Sequence, residues 1–354
     1  MPRSKTPAPL PVRDGLNPTR LRLPDNVPGA PTWATVLDYL IGRFPDDAAR
    51  LREKVDGGEV VLGDGSAVTP ETPFRHQELV YLYRDPPVEP ALDLRCEVLH
   101  HDDDLLVVDK PHFLATIPRG SYIARSALVQ LRRELDLPEL TPIHRLDRVT
   151  AGVVIFTTRA EVRRPYHRLL DDRALHKEYA AVASVRDDLD LPATVRSRIV
   201  KERGVVRAQE VAGEPNAESR VELLDVADDP RRGPLGLYRL TPRTGKTHQL
   251  RLHMQRLGVP IVDDPFYPEL RGVDPDDHSA PLQLLARAVE LTDPLSGERR
   301  RFVSRRTLAA WPGRWPDGWD RDASEAAAAE PGAVLHEPAA GSGRTGAGWE
   351  DGPS

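Results

Sequence analysis

Apolar residues in this 354-residue chain come in short bursts separated by charged and turn-forming residues, and that spacing limits it to a strand-rich fold. Leu105–Leu106–Val107–Val108, Val153–Val154–Ile155–Phe156, Tyr179–Ala180–Ala181–Val182–Ala183 and Leu237–Tyr238–Arg239–Leu240 each read as a strand. Val98–Leu99 and the 105–108 run bracket His100–His101–Asp102–Asp103, which predicts a hairpin. Two stretches carry helical spacing instead. Ser126 is placed to cap a helix with Leu128, Leu131 and Leu135 on one face. Thr247 to Leu257 puts Leu250, Met254 and Leu257 on one face, with Thr247 as N-cap and Gly258 ending the helix. Helices and strands mix without regular alternation, so the expected class is α+β around a mixed, largely antiparallel sheet. No run of 18 apolar residues occurs, so no segment reads as a membrane span.

Only 39% of residues are hydrophobic, whereas prolines number 35 and glycines 25, so folded parts are expected to be diluted by irregular ones. Residues 1–30 are proline-rich without sustained apolar period and are expected to be a flexible segment. Residues 31–84 begin with helix-forming Ala34–Ile41, continue through the strand and turn Gly58–Gly65, and end on the strand Leu79–Tyr83. That order resembles the small alpha-L RNA-binding module, but in degenerate form, because Asp46, Asp47 and Asp56 stand where basic side chains would line the helix. Residues 85–95 read as a linker, 96–316 as the main domain and 317–354 as a disordered acidic tail.

The net charge of −6 is located rather than spread. The tail holds eight acidic side chains and two arginines, so without it 47 basic residues balance 47 acidic ones. Any basic surface must therefore be local. A lone cysteine, Cys96, excludes an internal disulfide and a thiolate metal cluster, and the opening sequence lacks the apolar stretch of a secretory signal. The expected location is cytoplasmic and the expected state monomeric.

Three segments carry candidate chemistry. In Pro142–Gly152, Asp147 lies on a loop entering a strand, flanked by Arg145 and Arg148. A surface aspartate in weak ion pairs is the ordinary reading; a nucleophile held as an anion by arginine is the sharper one. In Lys177–Val182, the ordinary reading is an amphipathic strand with Tyr179 packed and Lys177 wet. In Thr244–His253, Lys246 and exposed backbone N–H groups at the helix start suit an anion. His248, Arg251 and Gln255 lie away from Leu250 and Met254, so Arg251 can point into a site while the leucines hold the helix down. His248 and His253 diverge around the helix and do not form a metal pair.

Together these strings resemble the RluA-type family of RNA pseudouridine synthases. The matching strings are VVDKP at 107–111, HRLDRVTAG at 144–152, KEYAAV at 177–182, TGKTHQLRLH at 244–253 and LGVPIVDDPFY at 257–267, in the family's order over roughly residues 100–300. The resemblance implies the family's mixed-sheet catalytic domain with a central RNA cleft. It implies Asp147 as the catalytic aspartate, Tyr179 against the target base and Arg251 paired with Asp147. Arg145, Arg148, Lys246, Thr247 and His248 are then the expected RNA contacts. Ala151 replaces a common serine, Lys246 a usual arginine, and Asp263 a frequent glycine, which matters if a positive φ is needed there.

The implied reaction breaks the bond between the ribose anomeric carbon and uracil N1, turns the base, and rejoins it through C5. No electron or external group moves, so no cofactor or metal is expected, and the chain has no phosphate-binding glycine loop. The expected partner is RNA, either rRNA or tRNA. Two rivals carry different expectations: a catalytically silent RNA-binding protein of the same fold, and a metal-dependent hydrolase built on His100, His101, Asp102, Asp103 and Asp104.

Overall fold

The computed structural model describes residues 8–25, 32–86, 89, 93–120, 122–202, 204–272 and 277–316. The expected tail at 317–354 lies outside the described residues. Strand β1 (Thr19–Arg22), helices α1 (Val36–Arg43) and α2 (Ala48–Asp56), and strands β2 (Val60–Leu62) and β3 (Leu79–Leu82) form an N-terminal module. Its sheet runs β1-β3-β2, all antiparallel, over a core of Leu23, Val36, Leu40, Leu51, Val55, Val60, Val80 and Leu82. Thr35 and Asp38 close a reciprocal capping box at the start of α1, satisfying two otherwise orphaned N–H groups.

The expectation of a flexible segment over residues 1–30 fails at Thr19–Leu23, because β1 completes the small sheet and Leu23 is in its core. Residues 1–7 and 26–31 are outside the description. Further upstream, a tight turn at Arg13–Leu16 bridges the two parts of the protein. Arg13 pairs with Glu59 of the module, while the Arg132 guanidinium donates to the Gly15 carbonyl at 3.0 Å. A Cβ on Gly15, whose φ is +74°, would sit 2.7 Å from the Val129 carbonyl, so the turn meets the main domain only through glycine. The presumed linker is also tied down at one point. Glu89 accepts hydrogen bonds from the backbone N–H groups of Ile123, Ala124 and Arg125. Asp46 and Asp47 lie on a short 3-10 turn before α2, and Arg50 and Lys54 of α2 pair with Asp85, with Lys54 buried.

The main domain continues with β4 (Glu97–His101), β5 (Leu105–Lys110), α3 (Ala127–Glu134), β6 (Thr141–Pro142), β7 (Ala151–Thr157), α4 (Arg163–Asp171) and β8 (His176–Ser184). It then adds β9 (Ala193–Val200), β10 (Gln209–Val211), β11 (Ala217–Asp229), β12 (Gly233–Pro242), α5 (Gln249–Arg256), β13 (Leu284–Thr292) and β14 (Arg299–Val303). Eleven strands form one sheet in the order β10-β9-β11-β12-β8-β13-β7-β5-β4, with β14 on β13 and β6 on β7. Every pairing is antiparallel except β13 with β7. This is the mixed, largely antiparallel sheet that the strand bursts implied. β5 and β7 are buried along their whole length, which explains their uninterrupted apolar runs.

The seam between the halves of the sheet demands a particular residue. Gly152 has φ +116°, and a Cβ there would lie 2.2 Å from the Ala286 carbonyl oxygen. Only glycine lets β7 approach β13 this closely. Elsewhere, α3 forms where expected, but the Ser126 hydroxyl bonds the Ile123 carbonyl rather than capping the helix. The 97–110 hairpin is present. Asp102 closes its turn, accepting from the N–H groups of Asp104 and Leu105 and pairing with His100 and Arg300. That turn role accounts for the acidic cluster, and among the described residues no group of three or more His, Cys, Asp or Glu is arranged to hold a metal ion. No described helix is long and apolar enough to cross a membrane.

Candidate active site

Asp147 sits on the loop from β6 to β7, and the loop is pinned through its backbone. The Thr116 hydroxyl donates to the Leu146 carbonyl at 2.8 Å and accepts from the Leu146 N–H at 3.2 Å. His112 Nδ1 donates to the Val149 carbonyl at 2.8 Å, and Thr150 N–H closes onto the Asp147 carbonyl at 3.1 Å. Lys110, fully buried at the end of β5, donates to the carbonyls of Pro111 and Leu114 and lies 3.4 Å from that of Arg148. Burial pushes the Lys110 ammonium down to about 7. The Asp147 side chain itself remains 36% exposed, so a reactant can reach it.

Arg251 comes to the same place from α5. Its Nε and Nη2 grip Asp264 at 2.7 and 2.5 Å, and both side chains are 1% exposed. Asp264 also accepts the N–H groups of Phe266 and Tyr267 at 2.8 and 3.1 Å, so its lone pairs are well used in a dry setting. The rings of Phe266 and Tyr267 lie 4.8 and 5.2 Å from the guanidinium carbon. The third nitrogen, Nη1, is buried without a hydrogen-bond partner and lies 3.6 Å from Asp147 Oδ2. Arg251 was expected to pair with Asp147; its principal partner is Asp264, and Asp147 is approached by what is left over.

Tyr179 lies on β8 between β12 and β13, opposite Leu240 and Ala286, and packs against two of the core clusters. Burial, and then the nearby Asp147 carboxylate, raise its phenol above the ordinary value. Lys177, expected to be wet, is half-buried, and burial lowers it to about 8. His248 completes the group. Its Nε2 lies 3.8 Å from Asp147 Oδ2 and its Nδ1 is 2.9 Å from the Tyr267 hydroxyl. Burial pushes the imidazole down to about 4, so it is neutral near pH 7.

Thr247 does not cap α5. The N-cap is His248, in the left-handed conformation at φ +57°, and its side chain makes no cap hydrogen bond. The loop is organised instead by Gln249. Its Oε1 accepts from the Thr244 hydroxyl and the Lys246 N–H, while its Nε2 donates to the Glu218 carbonyl and the Ser219 hydroxyl. Lys246 and Arg145 are exposed and Thr247 is half-buried. Arg148 turns toward Phe113 and Tyr122, its guanidinium carbon 4.6 Å from the Tyr122 centroid. Asp263 does adopt the positive φ that favours glycine, +58°, with its carboxylate held 3.1 Å from Arg232. The geometry after Ile261 survives: Val262 N–H reaches the Val182 carbonyl at 2.9 Å and Gln283 N–H reaches the Val262 carbonyl at 3.0 Å.

A deep-sheet domain whose exposed carboxylate is approached by a buried arginine and a neutral histidine is matched by known sequences. A family described as RNA pseudouridylate synthase matches residues 104–256. An uncharacterized RNA pseudouridine synthase of Synechocystis is 29% identical over 282 residues, covering 74% of this chain and 94% of that protein. The dual-specificity RNA pseudouridine synthase RluA of Haemophilus influenzae is 30% identical over 235 residues, covering 62% of this chain and 94% of its own length. RluA of Escherichia coli O6:H1 is 32% identical over 231 residues with the same coverage. The chain belongs to the RluA-type RNA pseudouridine synthases, isomerases that modify RNA.

Proposed function

We propose that this protein isomerises particular uridines of rRNA or tRNA to pseudouridine, with Asp147 as the catalytic carboxylate and no cofactor. The observation that carries this is a solvent-reachable carboxylate on a pinned loop, 3.6 Å from a buried Arg251 Nη1 that has no hydrogen-bond partner. A buried donor left without a partner is costly unless something completes it during function. Asp147 either adds to the ribose anomeric carbon or removes the C2′ proton; in both routes it acts as an anion and Arg251 is placed to steady it. The base of a structured uridine must leave its stack, and the Tyr179 ring supports the reading by offering it a surface. Arg145, Lys246 and Thr247 are candidates for phosphate contacts and Arg148 for a stacked one.

C5 of uracil loses its hydrogen when it bonds to C1′, so RNA labelled with tritium at C5 releases tritium on turnover. Wild-type protein is expected to release it from one or a few positions in rRNA or tRNA, without added metal or nucleotide. Mapping pseudouridine in RNA from cells with and without the gene then identifies the uridine. Failure to release tritium from either RNA class overturns the assignment of substrate.

A further inference from the structure

The hydrogen bonds around His248 fix which of its ring nitrogens carries the proton. The Tyr267 hydroxyl donates its only proton to the Ala208 carbonyl, 2.8 Å away, because a carbonyl oxygen cannot donate. His248 Nδ1 lies 2.9 Å from the same hydroxyl oxygen and must therefore supply the proton of that contact. In the neutral ring this leaves a bare lone pair on Nε2. Nε2 makes no hydrogen bond to any described residue, and it faces Asp147 Oδ2 at 3.8 Å. Two acceptors thus stand side by side with no proton between them. The charges bearing on the ring are Asp147, Arg251, Asp264 and Lys201. The ring is not free to turn away: it is held in the left-handed N-cap conformation, with Phe266 and Tyr267 rings at 5.4 and 5.6 Å.

The geometry points to His248 as the residue that recognises the target ribose, its Nε2 accepting the 2′-hydroxyl proton and so selecting a ribonucleotide at the reacting position. This rests on the reading of Asp147 as the carboxylate that acts on the sugar of a uridine in RNA. By either route Asp147 approaches C1′ or the hydrogen on C2′. The 2′-hydroxyl is carried by that same C2′, so it is the nearest donor to an acceptor flanking the carboxylate, within a normal O–H···N reach of about 2.8 Å. Tyr267 acts one step back, as a positioning residue that holds the tautomer.

The test crosses enzyme and substrate. Wild type, His248→Ala and Tyr267→Phe are each given RNA whose target uridine is either a ribonucleotide or 2′-deoxy, and affinity and single-turnover tritium release are measured. Wild type is expected to bind the 2′-deoxy target about five- to tenfold more weakly, the loss of one hydrogen bond. His248→Ala is expected to show that loss already on the all-ribose RNA and no further loss on the 2′-deoxy RNA. Tyr267→Phe, which keeps the ring but frees the tautomer, is expected to shrink the discrimination while melting near wild type. A 2′-deoxy substitution one nucleotide away serves as control and is expected to weaken all three proteins equally. Additive losses for His248→Ala and the 2′-deoxy target overturn the proposal. Should His248→Ala fail to fold, undiminished discrimination by Tyr267→Phe overturns it. Absence of tritium release by wild type on all-ribose RNA would instead refute the underlying assignment of function. If 2′-deoxy RNA is turned over by none of the proteins, the affinities decide.

Discussion

Arg251 holds Asp264 with two nitrogens, at 2.7 and 2.5 Å, and directs the third at Asp147 Oδ2 from 3.6 Å. The buried pair therefore acts as a bracket: Asp264 fixes the plane of the guanidinium, and the plane fixes where Nη1 points.

Asp264→Asn removes the countercharge of a guanidinium that is 1% exposed. Breaking a buried pair from one side costs about 3–5 kcal/mol. The variant is expected to lose stability on that scale in urea unfolding, and to lose turnover beyond what its folded fraction explains. Unchanged unfolding would show that Arg251 does not depend on Asp264.

Asp147→Asn keeps the size of the side chain and loses the anion. Single-turnover tritium release with saturating enzyme is expected to fall at least about a thousandfold, the equivalent of about 4 kcal/mol in the barrier. RNA affinity should fall little, because phosphate and base contacts are distributed over the surface. Retention of more than about a tenth of the wild-type rate would exclude Asp147 as the catalytic group.

Acid should destabilise the fold in a defined window. Burial pushes His112, His248 and His253 from 6.5 down to about 4. The unfolded chain binds their protons first, so the stability held by the neutral rings is complete above pH 6.5 and is lost as pH falls through 4. A shift of this size at one site corresponds to at most about 3 kcal/mol. His253 is fully buried and its Nε2 lies 3.1 Å from the Ser197 hydroxyl, outside the proposed catalytic group. His253→Gln is expected to make the stability–pH slope between 6.5 and 4 shallower by up to about one proton. Parallel slopes for the two proteins would rule out His253 as a contributor.

Deletion of residues 317–354 removes eight acidic side chains and two arginines. Like charge repels phosphate, so RNA affinity should hold or rise slightly and turnover should be unchanged, with both forms weakening as salt increases. An affinity lowered several-fold at fixed salt would assign the segment a role in binding.

Much of the fold was legible because burial on both faces leaves an unmistakable mark. β5 and β7 are such strands, and their apolar runs locate them directly. α4 was missed: Pro165 stands in its first turn, and its apolar side is a short one of Tyr166, Leu169 and Leu170 among charged residues. β9 alternates correctly, Val195, Ser197 and Ile199 inward and Arg196 and Arg198 outward, but a serine on the inner face blunts the pattern. In the proposed site, the strings singled out Asp147, Tyr179, His248 and Arg251, and the fold brings His248 Nε2 and Arg251 Nη1 to 3.8 and 3.6 Å from Asp147 Oδ2. Asp264 was not singled out, because Asp263 and Asp264 are neighbours with opposite fates. One turns to exposed Arg232 and the other to buried Arg251, a choice made by the turn at Asp263 rather than by residue type. Lys110, Thr116, Gln249 and Tyr267 were missed for a related reason: they act on backbone carbonyls or on other side chains, contacts that appear only once distant segments meet.

The parallel seam between β7 and β13 also divides the proposed catalytic group. Asp147 precedes β7 on one side of it, and Tyr179 and Arg251 belong to the other. β13 follows all of these residues in sequence and is the strand through which the two sides hydrogen-bond. Asp147, Tyr179, His248 and Arg251 all lie outside Leu284–Thr292, yet their register depends on that strand. A substitution that loosens β13 can therefore cost activity without touching any of those side chains.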